Sequence, residues 1–410
     1  MNRPRAGRAV AALLGLSIAA AAAGQQQPYT PADDAVVLEH VAPPRAPGVL
    51  QLNEVRSQWT ADPHNYALAL AYARVAMNIG RQEDDPRYFG YAESALQPWL
   101  QQAQPPPEVL LMHAGLRQVR KDFAGALREL DALVVAGVPE SAQAQLARAS
   151  LRLTQGDPAA ALRDCDALTG RVDPLLGLTC RSAAEGLAGH AAASLAALDA
   201  ARGQLAGVAL PVQTWMLSVA AGAAERLGRK AAARADYAEA QRQVAGAGTR
   251  DPGLLAAYAD FLLQNGDAAA AADLLAADVR LDSLLLRLAL AERRLGEAGD
   301  VGLAARADEH VRSLGQRFAE TRQRGDALHL REEAMYWLDL RHDPGHALQL
   351  AQQNWQLQRE PADARVLLRA AIAAAQPRAA QPVLDWRRRT GLEDVVLDTL
   401  QQQLPAGAAQ

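Results

Sequence analysis

The sequence predicts an all-α protein: an α-solenoid of about nine stacked helix pairs over 49–404, closed by a C-terminal capping helix. Three observations carry that expectation. First, one turn keeps recurring. Lys121-Asp122 leads to Ala126-Leu127, Gly156-Asp157 to Ala161-Leu162, Gly266-Asp267 to Ala271, Gly299-Asp300 to Ala304, and His342-Asp343 to Ala347-Leu348. The steps follow a period of roughly 35 residues, that of a two-helix repeat, a unit that buries its apolar face only by stacking on a neighbour. Second, six Asp-Pro dipeptides punctuate the chain at Asp62, Asp85, Asp157, Asp173, Asp251 and Asp343. Asp caps a helix N-terminus, and Pro suits the first helical position because its missing N–H has no partner there. Each dipeptide therefore marks a helix start. Third, no window alternates apolar and polar residues as a half-buried strand would.

The elements follow in order. Arg3, Arg5 and Arg8 precede an uncharged apolar stretch from Ala9 to Ala23, and small residues fill Ala21-Ala22-Ala23-Gly24. A basic start, a short apolar core and a small-residue site predict a signal peptide over 1–23. The alternative is an uncleaved anchor, although a spanning helix needs about 20 apolar residues. The only cysteines are Cys165 and Cys180, so no lipid-anchor cysteine stands near the cleavage region. The expected location is periplasmic or secreted.

Residues 24–48 are rich in Gln and Pro and predict an extended linker. A short helix is expected from Val49 to Trp59. Helix pairs then follow at about 63–103, 107–136, 140–170, 174–206, 211–246, 252–278, 283–321, 326–358 and 362–390. The second helix of the 283–321 pair is overlong through Phe318, and Gly325-Asp326 opens the next pair. A last helix near 393–403 caps the stack, and 405–410 form a flexible tail.

Composition narrows the function. Removing the first 23 residues takes away three of the 42 basic side chains and none of the 46 acidic ones, leaving a formal charge of −7. Nucleic-acid binding needs a concentrated basic surface, so it is not expected. Lys121 and Lys230 are the only lysines, which with the heavy Ala usage reads as the coding bias of a GC-rich genome. Half the residues are hydrophobic but few are aromatic. Alanine favours helices yet buries little area, so stability should be spread over many helix contacts.

A Gly-Asp turn with a small residue four positions on resembles the tetratricopeptide repeat. Thr154-Gln155-Gly156-Asp157-Pro158-Ala159-Ala160-Ala161-Leu162 and Gln264-Asn265-Gly266-Asp267-Ala268-Ala269-Ala270-Ala271 carry the likeness best. It covers most of 60–390 and departs from the family in lacking most of the large aromatics early in the first helix. Ser194 and Ala233 take the small-residue place in less regular contexts. Asp85-Pro86-Arg87-Tyr88-Phe89-Gly90-Tyr91-Ala92 also looks like a segment of exported proteobacterial repeat proteins. The resemblance implies a right-handed superhelix whose first helices line a concave groove, and a scaffold role. It implies no catalytic residue.

Cys165 in a second helix and Cys180 in the next first helix predict a disulfide in an exported chain. Two buried free thiols and a redox pair are the rivals, the last disfavoured by the wide spacing. His342 and His346 have the spacing of two metal ligands, but Pro344-Gly345 lies between them and no third ligand is near. His329, Glu332 and Glu333 are equally thin, so neither a metal nor a cofactor is expected. Charge runs at Trp386-Arg387-Arg388-Arg389 and Glu292-Arg293-Arg294 read as solvated faces. Asp164 and Asp166 are too local for a carboxylate pair. No phosphate loop, G-x-S-x-G or H-E-x-x-H occurs, so no enzyme is expected.

Three functions remain. The first is a periplasmic protein–protein interaction scaffold. The second is a superhelical accessory module of a cell-envelope enzyme system. The third is periplasmic capture of a ligand or metal. For the first, the candidate groove residues are Arg148, Arg152, Arg287, Arg331, Arg365 and Arg369. Guanidinium groups grip carboxylates with two bonds, so an acidic or C-terminal segment of another envelope protein is the expected partner.

Overall fold

Eight turns of the chain share one local structure. Their left-handed residues are Lys121, Gly156, Gly189, Gly228, Gly266, Gly299, His342 and Ala375, with φ between +53° and +120°. The next residue donates its N–H back to a carbonyl in the helix just ended, as Asp157 does to Arg152 at 2.9 Å and Asp267 to Leu262 at 2.9 Å. That bond satisfies a carbonyl left open at the helix C-terminus. Where this residue is Asp, its side chain at once caps the following helix. Asp122, Asp157, Asp267, Asp300 and Asp343 each accept from the N–H three residues on, at 2.9–3.2 Å. Five residues past each left-handed position stands a small side chain. Ala126, Ala161, Ser194, Ala233, Ala271, Ala347 and Ala380 are fully buried there. Ala304 lies against Gly296, where a Cβ would come within 2.7 Å of it. Ser194 and Ala233 thus belong to the same register as the rest.

The computed structural model describes residues 33, 47–83, 85–324 and 329–404. All regular elements among them are helical. After α1 (Pro47–Ala61) come α2 (Tyr66–Glu83) with α3 (Pro86–Leu100), and α4 (Pro107–Val119) with α5 (Phe123–Ala136). Then come α6 (Ser141–Thr154) with α7 (Pro158–Asp166), α8 (Pro174–Leu187) with α9 (Ala191–Ala201), and α10 (Leu210–Arg226) with α11 (Lys230–Gly246). The last are α12 (Pro252–Gln264) with α13 (Ala268–Leu275), α14 (Asp282–Glu297) with α15 (Val301–Gln323), α16 (Leu330–Met335) with α17 (Pro344–Leu357), and α18 (Pro361–Ala373) with α19 (Gln381–Thr390). α20 (Val395–Gln402) is the expected capping helix. Each first helix packs on its second helix and on the first helix of a neighbouring pair, as α12 does on α14 and α16 on α18. The first helices therefore form one inner layer, the stacking that the resemblance to tetratricopeptide repeats implies.

Some expectations change. Asp62-Pro63 is not a helix start: α2 begins at Tyr66, and the Asn65 side chain accepts from the Leu68 N–H at 3.2 Å. The other five Asp-Pro pairs do begin helices. The first helix starts at Pro47, inside the predicted linker. The predicted signal peptide, Gly325-Asp326 and the 405–410 tail lie outside the described residues, as does the linker apart from Asp33, Pro47 and Gly48.

The larger difference is a seam. The segment from Gln358 to Val395 runs along the turns of four earlier pairs. Lys121 Nζ donates to Gln358 Oε1, and the Arg359 N–H to the Thr154 carbonyl at 2.8 Å. Trp386 Nε1 donates to the Gly156 carbonyl at 2.9 Å, and the Ala191 N–H to Glu393 Oε2 at 3.1 Å. A Cβ added to Gly228 would meet Val395 at 3.6 Å, ordinary contact. The C-terminal pairs thus close the superhelix along one edge.

Candidate functional site

The structure separates the six arginines. Arg148 and Arg152 stand one turn apart on α6. Arg148 Nη1 donates to Asp131 of α5 at 2.7 Å and Nε to Asp164 of α7 at 3.1 Å, while Arg152 Nη1 reaches Asp164 at 2.7 Å. Asp164 is buried, so the pair fastens α5, α6 and α7 together.

The other four surround a cavity of about 450 Å³ in the inner layer, walled by α12, α14, α16, α18 and α20. Arg331, Arg365 and Arg369 line it, and Arg287 grips the lining Asp260 with two bonds at 2.8 and 2.7 Å. Leu263, Leu290, Met335, Val366, Val396 and Leu400 supply its apolar wall, with Arg294, Asp339 and Gln264 between them. Each helix offers one stripe. On α18 the lining residues are Ala362, Arg365, Val366 and Arg369, spaced as one helical face.

α16 is irregular at this wall. It continues into a π-helical turn, Tyr336–Leu340, so the Asp343 N–H bonds to Trp337, six residues back rather than five. One inserted residue rotates the downstream side chains by about 100°. Met335 precedes the π-helical turn and Asp339 lies within it, and Asp339 accepts from Arg369 Nη1 at 3.3 Å.

Most of the charge is already matched within the chain. Arg365 donates Nη2 to Asp394 at 2.8 Å and Nη1 to Glu225, two carboxylates from opposite sides of the seam. Burial opposes its charge, yet Asp394 and Glu225 hold the guanidinium pKa above the ordinary value. Its Nε is buried with no acceptor among the described residues. Arg331 Nη1 reaches Glu360 at 3.3 Å and Asp363 at 3.4 Å. Beside it Glu332 is buried, which raises a carboxyl pKa, but Arg331 and Arg287 overcome that and bring it down to about 2. Lys121, at the seam, is pushed below its usual value by burial. Arg294 alone among the lining arginines forms no ion pair among the described residues. It donates Nη1 to the Leu263 carbonyl oxygen.

The remaining candidates fall elsewhere. Cys165 and Cys180 are joined in a disulfide between α7 and α8, Cα to Cα 5.5 Å. His342 occupies a turn with φ +55°, and the His346 ring lies 4.5 Å from the Trp337 ring. Glu333 pairs with Arg322. Among the described residues no group of three or more His, Cys, Asp or Glu is placed to hold a metal ion. Arg387 pairs with Asp398, Arg388 with Asp385 and Arg293 with Asp308, while Asp166 holds Arg181. The sequence reading missed Asp260, Leu263, Leu290, Arg294, Met335 and Asp339. A stripe at i, i+3 and i+4 on consecutive first helices is the signal that marks them.

No protein-family model matches the chain. No curated protein matches it either. Solved structures similar to it include the APC/C hetero-tetramer Cut9–Hcn1, at 12% identity and TM-score 0.48, covering 87% of this chain and 67% of that one. A tetratricopeptide repeat protein from Parabacteroides merdae is similar at 12% identity and TM-score 0.34, covering 73% of this chain and 98% of that one. Rap protein complexed with Competence and Sporulation Factor is similar at 14% identity and TM-score 0.43, covering 87% and 99%.

Proposed function

We infer that this chain is an exported, non-catalytic scaffold that holds a segment of another cell-envelope protein on its inner face. The observation that carries this is the cavity walled by five helices, with a continuous apolar wall and guanidinium groups between the apolar side chains. Concave, largely apolar sites with a few polar groups are where ligands and peptide segments bind. Its side chains are suited to holding a partner: donors, carboxylates and aliphatic surface. Export is supported by Arg3, Arg5 and Arg8 ahead of the apolar stretch to Ala23, and by the buried disulfide, a bond that persists in oxidising compartments. No helix among the described residues is long and apolar enough to cross a membrane.

A photo-crosslinking amino acid at Ala362 or Leu400, which line the cavity, tests the proposal against one at Val135, which is 86% exposed on α5. The expected result is one discrete protein adduct in the envelope fraction from the cavity positions and none from Val135. Equal adducts from all three positions, or none from the cavity, would defeat it. N-terminal sequencing of the same fraction should find a chain starting at or next to Gly24.

A further inference from the structure

The cavity carries four arginines in its lining, and three of them are already held by carboxylates of this chain. We propose, building on the scaffold function above, that the bound segment is mainly aliphatic and brings a single anionic group, which Arg294 receives. An acidic run would have to displace Asp394, Asp339 or Asp363 from its arginine, and Asp394 and Asp363 are buried. Removing one partner of a buried ion pair leaves an uncompensated charge. A poly-acidic segment therefore gains little here.

Arg294 differs in each respect. It is exposed on α14, and it pairs with no carboxylate among the described residues. Its bond from Nη1 to the Leu263 carbonyl oxygen tethers the guanidinium at a wall that Leu263 and Leu290 also line. The remaining N–H groups are left for one anion, and a hydrogen bond to a charged acceptor is about twice as strong as a neutral one. The aliphatic part is matched by Leu263, Leu290, Met335, Val366, Val396 and Leu400. A cavity of about 450 Å³ is within the range that takes a few side chains rather than a whole helix.

A random peptide library displayed on phage, selected on the purified full chain, provides the test. A cavity-filling variant, Val366→Trp, serves as the counter-selection. Enriched peptides should combine two or three aliphatic residues with one acid. A synthetic consensus peptide should bind roughly tenfold more tightly than its amide counterpart, in which the acid is replaced by Gln or Asn. Arg294→Gln should erase that tenfold preference and leave the affinity of the amide peptide unchanged. Arg294→Lys should restore part of it, and circular dichroism checks that both variants stay folded. Enriched acidic runs, or a preference that survives Arg294→Gln, overturn this inference and leave the scaffold function standing. If nothing is enriched on the wild type beyond the Val366→Trp control, the scaffold function falls with it.

Discussion

Gly156 and Gly266 sit in the same turn of the same motif, yet they do different things. Both are left-handed, with φ +75° and +79°, and both precede an Asp that caps the next helix. A Cβ on Gly266 would meet nothing within 4 Å. A Cβ on Gly156 would lie 2.6 Å from Trp386 Nε1 and 2.7 Å from Arg359 Cβ. Gly189 is like Gly156, since a Cβ there would come within 2.7 Å of the Gly391 carbonyl oxygen. One set of turns is sealed by the C-terminal segment and the other faces open space. A local motif thus fixes the backbone, while its energetic weight depends on what the far end of the chain places against it.

The largest effect expected from this contrast is at the sealed turns. Gly156→Ala combines left-handed strain with overpacking against Trp386 and should cost about 4 kcal/mol. Urea unfolding reads it, and a loss no greater than that of Gly266→Ala would erase the distinction. Next comes the disulfide, which lies between the sealed turns and closes a separation of 15 residues. Cys165→Ala with Cys180→Ala should lower stability by about 3 kcal/mol. An unchanged unfolding midpoint would mean that the seam alone secures this region.

Trp386→Phe keeps an aromatic side chain but removes the five-membered ring and with it the donor to the Gly156 carbonyl, which then has no partner across the seam. It should cost about 2 kcal/mol and expose the 156 turn to faster amide exchange. If exchange speeds up equally at Gly266, the seam is not a separate element. Gly266→Ala carries left-handed strain alone and should cost about 1 kcal/mol. Smallest and opposite in sign is Ala375→Gly. Ala375 takes the left-handed place with φ +53°, so glycine relieves strain but loosens the unfolded chain. A net gain of about 0.5 kcal/mol, seen as a slightly higher Tm, is expected.

Much of the fold is legible in the sequence because its rules act over short range. A left-handed residue, a capping Asp and a small residue five positions on all lie within one turn, and each acts through bonds to neighbours three to six residues away. Even Ser194 and Ala233, set in weaker contexts, keep that spacing and are buried. The disulfide was legible for the same reason, since its cysteines lie on consecutive antiparallel helices. Asp62-Pro63 misled because Asn65, three residues further on, caps the helix instead.

The sequence places the six candidate arginines on first helices but does not record which acids hold them. Arg331, Arg365 and Arg369 line the cavity between first helices, whereas Arg148 and Arg152, also on a first helix, are tied to Asp131 and Asp164 of the helices beside it. Those acids come from neighbouring helices, and the π-helical turn at Tyr336–Leu340 that carries Asp339 to Arg369 has no sequence mark.

By itself the sequence determined the helix pairs, their turns and their stacking order, since local hydrogen bonds and small-residue spacing suffice for those. Only the tertiary structure decided which turns are sealed, which arginines are spent on the chain's own acids, and that Arg294 pairs with no carboxylate among the described residues. The seam joins Lys121 to Gln358 and Gly156 to Trp386 across 237 and 230 residues, and Arg365 to Glu225 across 140. Contacts at such separations follow from the accumulated curvature of every repeat between them, and no periodicity in the chain records that sum.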